Sequence, residues 1–336
     1  MIVRARAPLR IDLAGGWTDV APYTAHRGGA VVNVAVTLYA QVTVRTGGKG
    51  IRLRAVDLGA AVTAARAADL RADGELALLK AAARRYAPAV GAEITTHSDA
   101  PGGSGLGGSG ALGVALVAAL LRVAGRTLLP AEIAEAAFDT EVHDAGVLGG
   151  RQDQYAAALG GIQFLAVGEA AAAATRLSLP PDAARELERA LVLCYTGASR
   201  YSDRTHRGVW AAYARGDAPV RTALDGLRQC ALTMRTALER GDLGTAAATM
   251  SENWVHQQAL AEGMRTDAMA ALEAVGREAG ADGVKACGAG AGGCLVFLAR
   301  PGREGDVAAA LEGARGTVLR FGFDLDGVRT WEAQER

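Results

Sequence analysis

Lysine is nearly missing from this chain: among 336 residues it occurs only at Lys49, Lys80 and Lys285. A P-loop places lysine directly after its last glycine. The glycine-rich turn at 101–111 has Ser109 there, so it is not a P-loop. Net charge is missing too, because Lys+Arg and Asp+Glu are 36 each. That balance argues against a broad nucleic-acid surface and against a polybasic membrane anchor. The longest apolar run, Ala111 to Leu121, stops at Arg122, short of the roughly 20 residues that span a bilayer. Cysteine is confined to Cys194, Cys230, Cys287 and Cys294. With no C-x-x-C pair among them, they fit buried thiols in a reducing compartment. The start, Met1-Ile2-Val3-Arg4, has no leader-like apolar stretch. The expectation is a cytoplasmic protein with no nucleic-acid or membrane partner.

What is present is an ordinary globular composition with one excess. Hydrophobic residues make up 50% and charged residues 21%, and the length suits about two domains. Glycine, at 44 residues, has about twice its usual share and is clustered. The first 60 residues read as short strands: Ile2 to Arg6, Arg10 to Ala14, Ala30 to Val36, Tyr39 to Arg45 and Ile51 to Val56. Helical spacing marks Glu75 to Ala87, Ser109 to Ala124 and Pro130 to His143, with strands at Gly91 to His97 and Gly160 to Val167. Pro180-Pro181 is the best boundary, which gives domains 1–180 and 181–336. Beyond it, Ala190 to Tyr195, Val284 to Cys287, Cys294 to Ala299 and Val318 to Phe323 read as strands. Val220 to Leu260, interrupted near Gly241, and Met269 to Ala279 and Glu304 to Gly313 read as helices. The pattern predicts an α+β protein.

The turn at 101–111 carries the chemistry. Six glycines fall within nine residues, between a strand and a helix. Glycine lets backbone N–H groups approach a ligand, and a helix N-terminus favours anions. The segment therefore reads as a phosphate cradle, the alternative being a ligand-free tight turn. Gly103, Gly105 and Gly108 fit G-x-G-x-x-G, but two helices follow in succession and no second strand ends in an acid. That argues against a dinucleotide fingerprint and leaves a dehydrogenase as a rival, which failure to bind NAD would dismiss. Without lysine, the cradle relies on backbone donors, the helix dipole and a metal. Mg²⁺ suits hard oxygens and phosphates, and the Ser109 hydroxyl stands at the helix start.

Four segments carry a resemblance. PGGSGLGGSGA (101–111) is similar to the second motif of the GHMP small-molecule kinases. APLRIDLAGGWTDV (7–20) resembles their first motif and KACGAGAGGCLVF (285–297) their third. GGRQDQYAAALGG (149–161) resembles the segment with the catalytic aspartate. Within that superfamily, GRQDQYAAALGG and YTGASRYS (195–202) are similar to heptose 7-phosphate kinases, and RIDLAGGWTD with GGAVVNVAV (28–36) to L-fucokinases. The resemblance implies a two-domain fold: an N-terminal ribosomal-S5-like domain and a C-terminal ferredoxin-like domain, with the active site in the cleft. It also implies an ATP- and Mg²⁺-dependent kinase acting at the anomeric O1 of a sugar or sugar phosphate. The product, a sugar 1-phosphate, would feed nucleotide-sugar synthesis, and the enzyme would be a monomer or homodimer.

The same resemblance assigns roles by position. Asp153 becomes the catalytic aspartate and Arg10 the arginine that stabilises charge on the transferred group. The residues alone also allow a helix cap at Asp153 and a structural ion pair at Arg10. Pro101, Gly103, Ser104, Gly105, Leu106, Gly107, Gly108 and Ser109 form the ATP site. Ser109 and Glu141 form the Mg²⁺ pair, unless Glu141 is a solvated helix carboxylate beside Asp139. Trp17, Thr18 and Asp19 face the acceptor, with Asp19 reading hydroxyls; Trp17 either stacks on the sugar or packs in the core. Gly288, Ala289 and Gly290 approach the acceptor and phosphates. Ser199, Arg200, Arg204 and Arg207 make the place for a substrate phosphate clamp, or a solvated loop. His256 reads as structural. Two further rival functions stand beside this one: the same fold acting on a galactose-, uronate- or mevalonate-like alcohol, and a silent sugar- or nucleotide-binding regulator.

Overall fold

A computed structural model describes residues 1–88, 91–198 and 203–334. Where two short strands are expected at each end of the first hairpin, the chain forms one long strand apiece. These are β1 (Ile2–Ala14) and β2 (Gly29–Thr46). Pro8 does not break β1; a register shift between Pro8 and Leu9 absorbs it, the bulge position where a sheet tolerates proline. Strand β2 serves two partners. Its second half pairs with β5 (Ala92–Ser98), and its first half with β6 (Ile162–Val167). Strand β3 (Ile51–Ala55) runs parallel to β5 and hairpins to β4 (Ala60–Ala64), while β7 (Ala172–Arg176) hairpins from β6.

The helices of this part of the chain are α1 (Tyr23–Arg27), α2 (Ala77–Tyr86), α3 (Gly108–Val123), α4 (Pro130–Asp139), α5 (Gln152–Leu159) and, packed on the second sheet, α6 (Pro181–Ala190). Helix α3 is apolar all round and buried from Gly110 to Leu121 except Leu112, as a central helix must be. Helix α4 stops short of the expected His143 because residues Thr140–Asp144 widen into a π-type turn. Such turns recur at functional sites.

Strand β8 (Leu191–Tyr195) opens a second, antiparallel sheet ordered β11-β8-β10-β9, with β9 (Ala281–Ala286), β10 (Cys294–Ala299) and β11 (Thr317–Leu319). Helices α7 (Asp203–Ala214), α8 (Ala218–Arg240), α9 (Leu243–Gln258), α10 (Asp267–Ala279) and α11 (Glu304–Gly313) follow; α9, α10 and α11 pack on this sheet, while α8 lies against β1 and β2. The interruption at Gly241 is a left-handed helix end, φ 71°, and Asp242 then caps α9 by accepting from the Thr245 N–H. Helices α10 and α11 close a core of Met269, Leu272, Phe297, Val307 and Leu311. The larger core joins β1 and β2 to α3, and continues to Ala231 and Met234 of α8.

The expected division at 180/181 needs one correction. Strand β12 (Arg329–Ala333) returns to the first sheet and pairs with β1 from Ile2 to Arg6. It covers an edge that β1 would otherwise expose, so the C-terminal residues do not belong with the second sheet. Among the described residues, no helix is long and apolar enough to cross a membrane. The four cysteines are free and buried.

Candidate active site

Strand β1 delivers Arg10, 5% exposed, to a point where four segments meet. Its Nε donates to Asp153 Oδ1 at 2.8 Å, and Nη2 forms an ion pair with the same oxygen at 2.7 Å. Nη1 donates to the Gly105 carbonyl at 2.6 Å and the Cys287 carbonyl at 3.1 Å. The Arg10 N–H donates to the Leu106 carbonyl at 2.9 Å. Burial alone would lower the guanidinium pKa, but Asp153 and then Asp12 offset it and the net direction is upward. Asp153 itself sits in the first turn of α5, and the cap position is Arg151. The helix-cap reading of Asp153 therefore fails, and its Oδ2 is left clear of the guanidinium.

The glycine-rich turn wraps this pair. Gly103, Gly105 and Gly107 all have φ between 72° and 77°, the left-handed region that favours glycine. A Cβ at Gly107 would come within 3.0 Å of Asp153 Cγ and 3.2 Å of Arg10 Cγ. At Gly110 it would lie 2.4 Å from Asp153 Cβ. At Gly108 it would meet nothing within 4 Å, so the turn is open at the start of α3. The first N–H groups of any helix lack partners within it, and here they border that opening. Pro101 is exposed, and its carbonyl accepts from the Ser104 N–H at 3.1 Å. Ser104 is buried and its carbonyl accepts from the Cys294 N–H at 2.7 Å. The turn and the third glycine segment are thus in contact, with Gly288 pressed so close that a Cβ would lie 2.6 Å from Gly105 Cα.

Glu141 lies on the π-type turn and is 5% exposed, so it is not a solvated carboxylate. It accepts a hydrogen bond from Gln154 Nε2 at 2.7 Å, and the Ser109 hydroxyl lies near enough to favour its charged form. Burial pushes its pKa up to about 7 against the lowering effect of Ser109, and the nearby Asp153 charge raises it further. Ser109 and Glu141 form a pair of hard oxygens beside Asp153, which suits Mg²⁺.

On the other side, Asp19 is 3% exposed and its Oδ2 accepts from the Gln152 N–H at 3.0 Å. Burial lifts its pKa to about 6, with the Gln152 N–H opposing and the Asp153 charge adding. Its neighbours are committed elsewhere. The Thr18 hydroxyl donates to the Gly15 and Ala30 carbonyls and accepts from the Ala30 N–H at 3.0 Å. Its single proton is shared between those two carbonyls, so the buried hydroxyl is committed to the backbone as a donor. Trp17 is 5% exposed and stacks on His206 at 4.2 Å between ring centroids, with Trp210 beside it. Of the two readings of Trp17, core packing is the one the structure carries. Ala289 packs on the edge of that cluster, and Gly290 has φ 86°. Ser199 and Arg200 lie outside the described residues, as does the side chain of Arg204; Arg207 is exposed.

Several residues around the site were not singled out from sequence. Lys285 is fully buried and donates to Asp12 Oδ2 at 3.0 Å, to the Asp12 carbonyl at 2.7 Å and to the Ala286 carbonyl at 2.9 Å. This pair ties the first glycine-bearing segment to the third, two residues from Arg10. Nothing in a single sequence pairs positions 12 and 285. Gln154 was visible only as a helix residue, and Asn253 and Gln257 only as part of a long helical pattern. Cys230, Glu252 and His256 place one potential ligand atom each within 4.8 Å of one another, between α8 and α9, although no histidine spacing announced it.

With this geometry in view, comparison with known proteins defines the class: a small-molecule phosphotransferase. Residues 76–161 match the GHMP kinases N terminal domain and 234–316 the GHMP kinases C terminal domain. The chain is 32% identical to the D-glycero-alpha-D-manno-heptose 7-phosphate kinase of Campylobacter jejuni, over 98% of each chain. It is 28% identical to the L-fucokinase/L-fucose-1-P guanylyltransferase of Bacteroides fragilis over 89% of its own length but only 35% of that protein's. The crystal structure of a D-glycero-D-manno-heptose 1-phosphate kinase from Bacteroides thetaiotaomicron superposes with a TM-score of 0.80 at 30% identity, covering 99% of this chain and 100% of that one. The chain belongs to the GHMP kinase family.

Proposed function

We propose that this kinase transfers the γ-phosphoryl group of ATP to the anomeric O1 hydroxyl of a sugar phosphate of the heptose 7-phosphate type. The observation that carries this reading is the Asp153 carboxylate, fixed by Arg10 through Oδ1 and bordered by Gly107 and Gly110 at the start of α3. Asp153 Oδ2 takes the proton of the incoming hydroxyl as its oxygen bonds to the γ-phosphorus and the bond to the ADP oxygen breaks. An anomeric hydroxyl is more acidic than an ordinary alcohol, so a carboxylate suffices as base. Arg10 stabilises charge on the transferred group, and the N-terminus of α3 receives the phosphate oxygens. Ser109 and Glu141 would hold Mg²⁺, which when bound neutralises phosphate charge. Asp19 accepts from acceptor hydroxyls.

The named relatives support the heptose phosphate over other acceptors. Arg200, Arg204 and Arg207 are the candidates to clamp its distal phosphate. The product is a sugar 1-phosphate suited to nucleotide-sugar synthesis. The four unpaired, buried thiols support a reducing, cytoplasmic setting. The test is a coupled ADP-release assay across heptose 7-phosphate, fucose, galactose and mannose, with the phosphorylated position read by phosphorus NMR. Turnover is expected on heptose 7-phosphate with phosphate at O1. Preferred turnover of galactose, or phosphorylation away from O1, would refute the reading.

A further inference from the structure

Helix α9 touches the glycine segment that leads to Asp19 and the one that packs on the 101–111 turn, through Asn253 and Gln257. The two lie one helical turn apart, and each is 1% exposed. Asn253 Oδ1 accepts from the Gly15 N–H at 2.8 Å. Gln257 Nε2 donates to the Gly288 carbonyl at 2.6 Å. We propose that Asn253 and Gln257 are positioning residues that set the separation between the acceptor and the phosphoryl donor. The proposal rests on the kinase reading above for what is being positioned.

Neither segment has slack. Gly15 has φ 90°, and a Cβ there would lie 2.1 Å from the Ala30 carbonyl oxygen and 2.7 Å from Ala231 Cβ of α8. Gly15 opens the turn that leads to Asp19. Gly288 follows Cys287, whose carbonyl holds Arg10, and it packs on Gly105 of the phosphate turn. Beyond it, the Ala291 N–H donates to the Met264 carbonyl at 2.7 Å, in the loop that follows α9. One face of one helix therefore fixes the acceptor turn and the glycine segment that abuts the donor turn. The bonds differ in kind: Gly15 needs an acceptor and Gly288 a donor, and each carboxamide supplies the one required. Asn253 Nδ2 is buried with no protein partner, so the amide keeps a donor that the fold does not use. A displacement of about 1 Å in such a scaffold is enough to cost of the order of 10²-fold in rate.

The test uses the full chain with Asn253→Leu, Asn253→Asp and Gln257→Met, read by amide hydrogen exchange and by steady-state kinetics. Asn253→Leu is expected to speed exchange at residues 13–19 about tenfold. It should also raise the acceptor KM and lower kcat, while ATP affinity, measured by direct titration, stays within about twofold. Asn253→Asp, whose oxygen still accepts from the Gly15 N–H, should restore the protection and most of kcat. Gln257→Met should speed exchange at 286–293 and lower kcat more than it raises either KM. Unchanged exchange at both segments would overturn the proposal, as would kinetic losses that track only the melting temperature and are not rescued by Asn253→Asp. The exchange measurements need no acceptor. A wild type that phosphorylates no sugar would therefore refute the proposed function, while exchange would still decide the clamp.

Discussion

The two sides of the cleft are built from different materials. The proposed donor side is one continuous segment, 101–111, made of backbone, with glycines that admit no side chain where Asp153 and Arg10 press against it. The proposed acceptor side is held together by side chains from distant positions: Asp12, Asp19, Asn253 and Lys285. A backbone cradle recognises what all phosphates share, whereas a set of side chains recognises a particular polyol. The difference predicts that donor-side changes act on rate for every acceptor, and acceptor-side changes act on selectivity.

The largest effect is expected where the two sides meet. Asp153→Asn should lower kcat by about 10²- to 10⁴-fold while ATP binding survives; turnover near that of the wild type would remove the base from the account. Next comes Gly110→Ala, whose new methyl would overlap Asp153 Cβ at 2.4 Å. It should cost about 10²-fold in kcat with every acceptor tried, and a loss confined to one sugar would break the donor–acceptor contrast. Ser109→Ala should raise the Mg²⁺ concentration needed for half-maximal rate by about tenfold. An unchanged metal titration would remove Ser109 from the metal pair.

Asp19 sharpens the contrast through pH. Its pKa is raised to about 6, so below that pH the carboxyl takes up a proton and loses acceptor capacity. The acceptor KM should therefore rise as pH falls through 6, and Asp19→Asn should flatten that rise at a cost of about tenfold in KM at pH 8. The sign for stability is opposite. A carboxyl whose pKa is raised on folding binds more protons folded than unfolded, so stability falls as pH rises from about 4 to about 6. Asp19→Asn should consequently raise the melting temperature of the unliganded protein at pH 8, by ~1–3 kcal/mol in stability terms. A lower melting temperature at pH 8 would show that the ionised side chain is stabilising.

The same contrast explains what the sequence disclosed. Glycines clustered between a strand and a helix announce a backbone cradle, because conformation alone demands them. Asp153 was legible through the family resemblance of residues 149–161, and Glu141 through the spacing of twelve residues that the same resemblance implies. Thr18 and Trp17 share a motif with Asp19, but only the fold shows that one is bonded to backbone and the other stacked on His206. Asn253, Gln257 and Lys285 are brought to the site by packing between distant segments, which leaves no local signature. Strand β12 was missed because Arg329-Thr330-Trp331-Glu332-Ala333 lacks a buried alternation; it exists to cover β1.

The most direct test is a crystal structure of the complex with a non-hydrolysable ATP analogue, Mg²⁺ and heptose 7-phosphate. The account predicts the γ-phosphate at the opening above Gly108 and the acceptor O1 at about 2.6–3.2 Å from Asp153. A nucleotide seated away from residues 101–111, or an acceptor whose O1 faces away from Asp153, would contradict it.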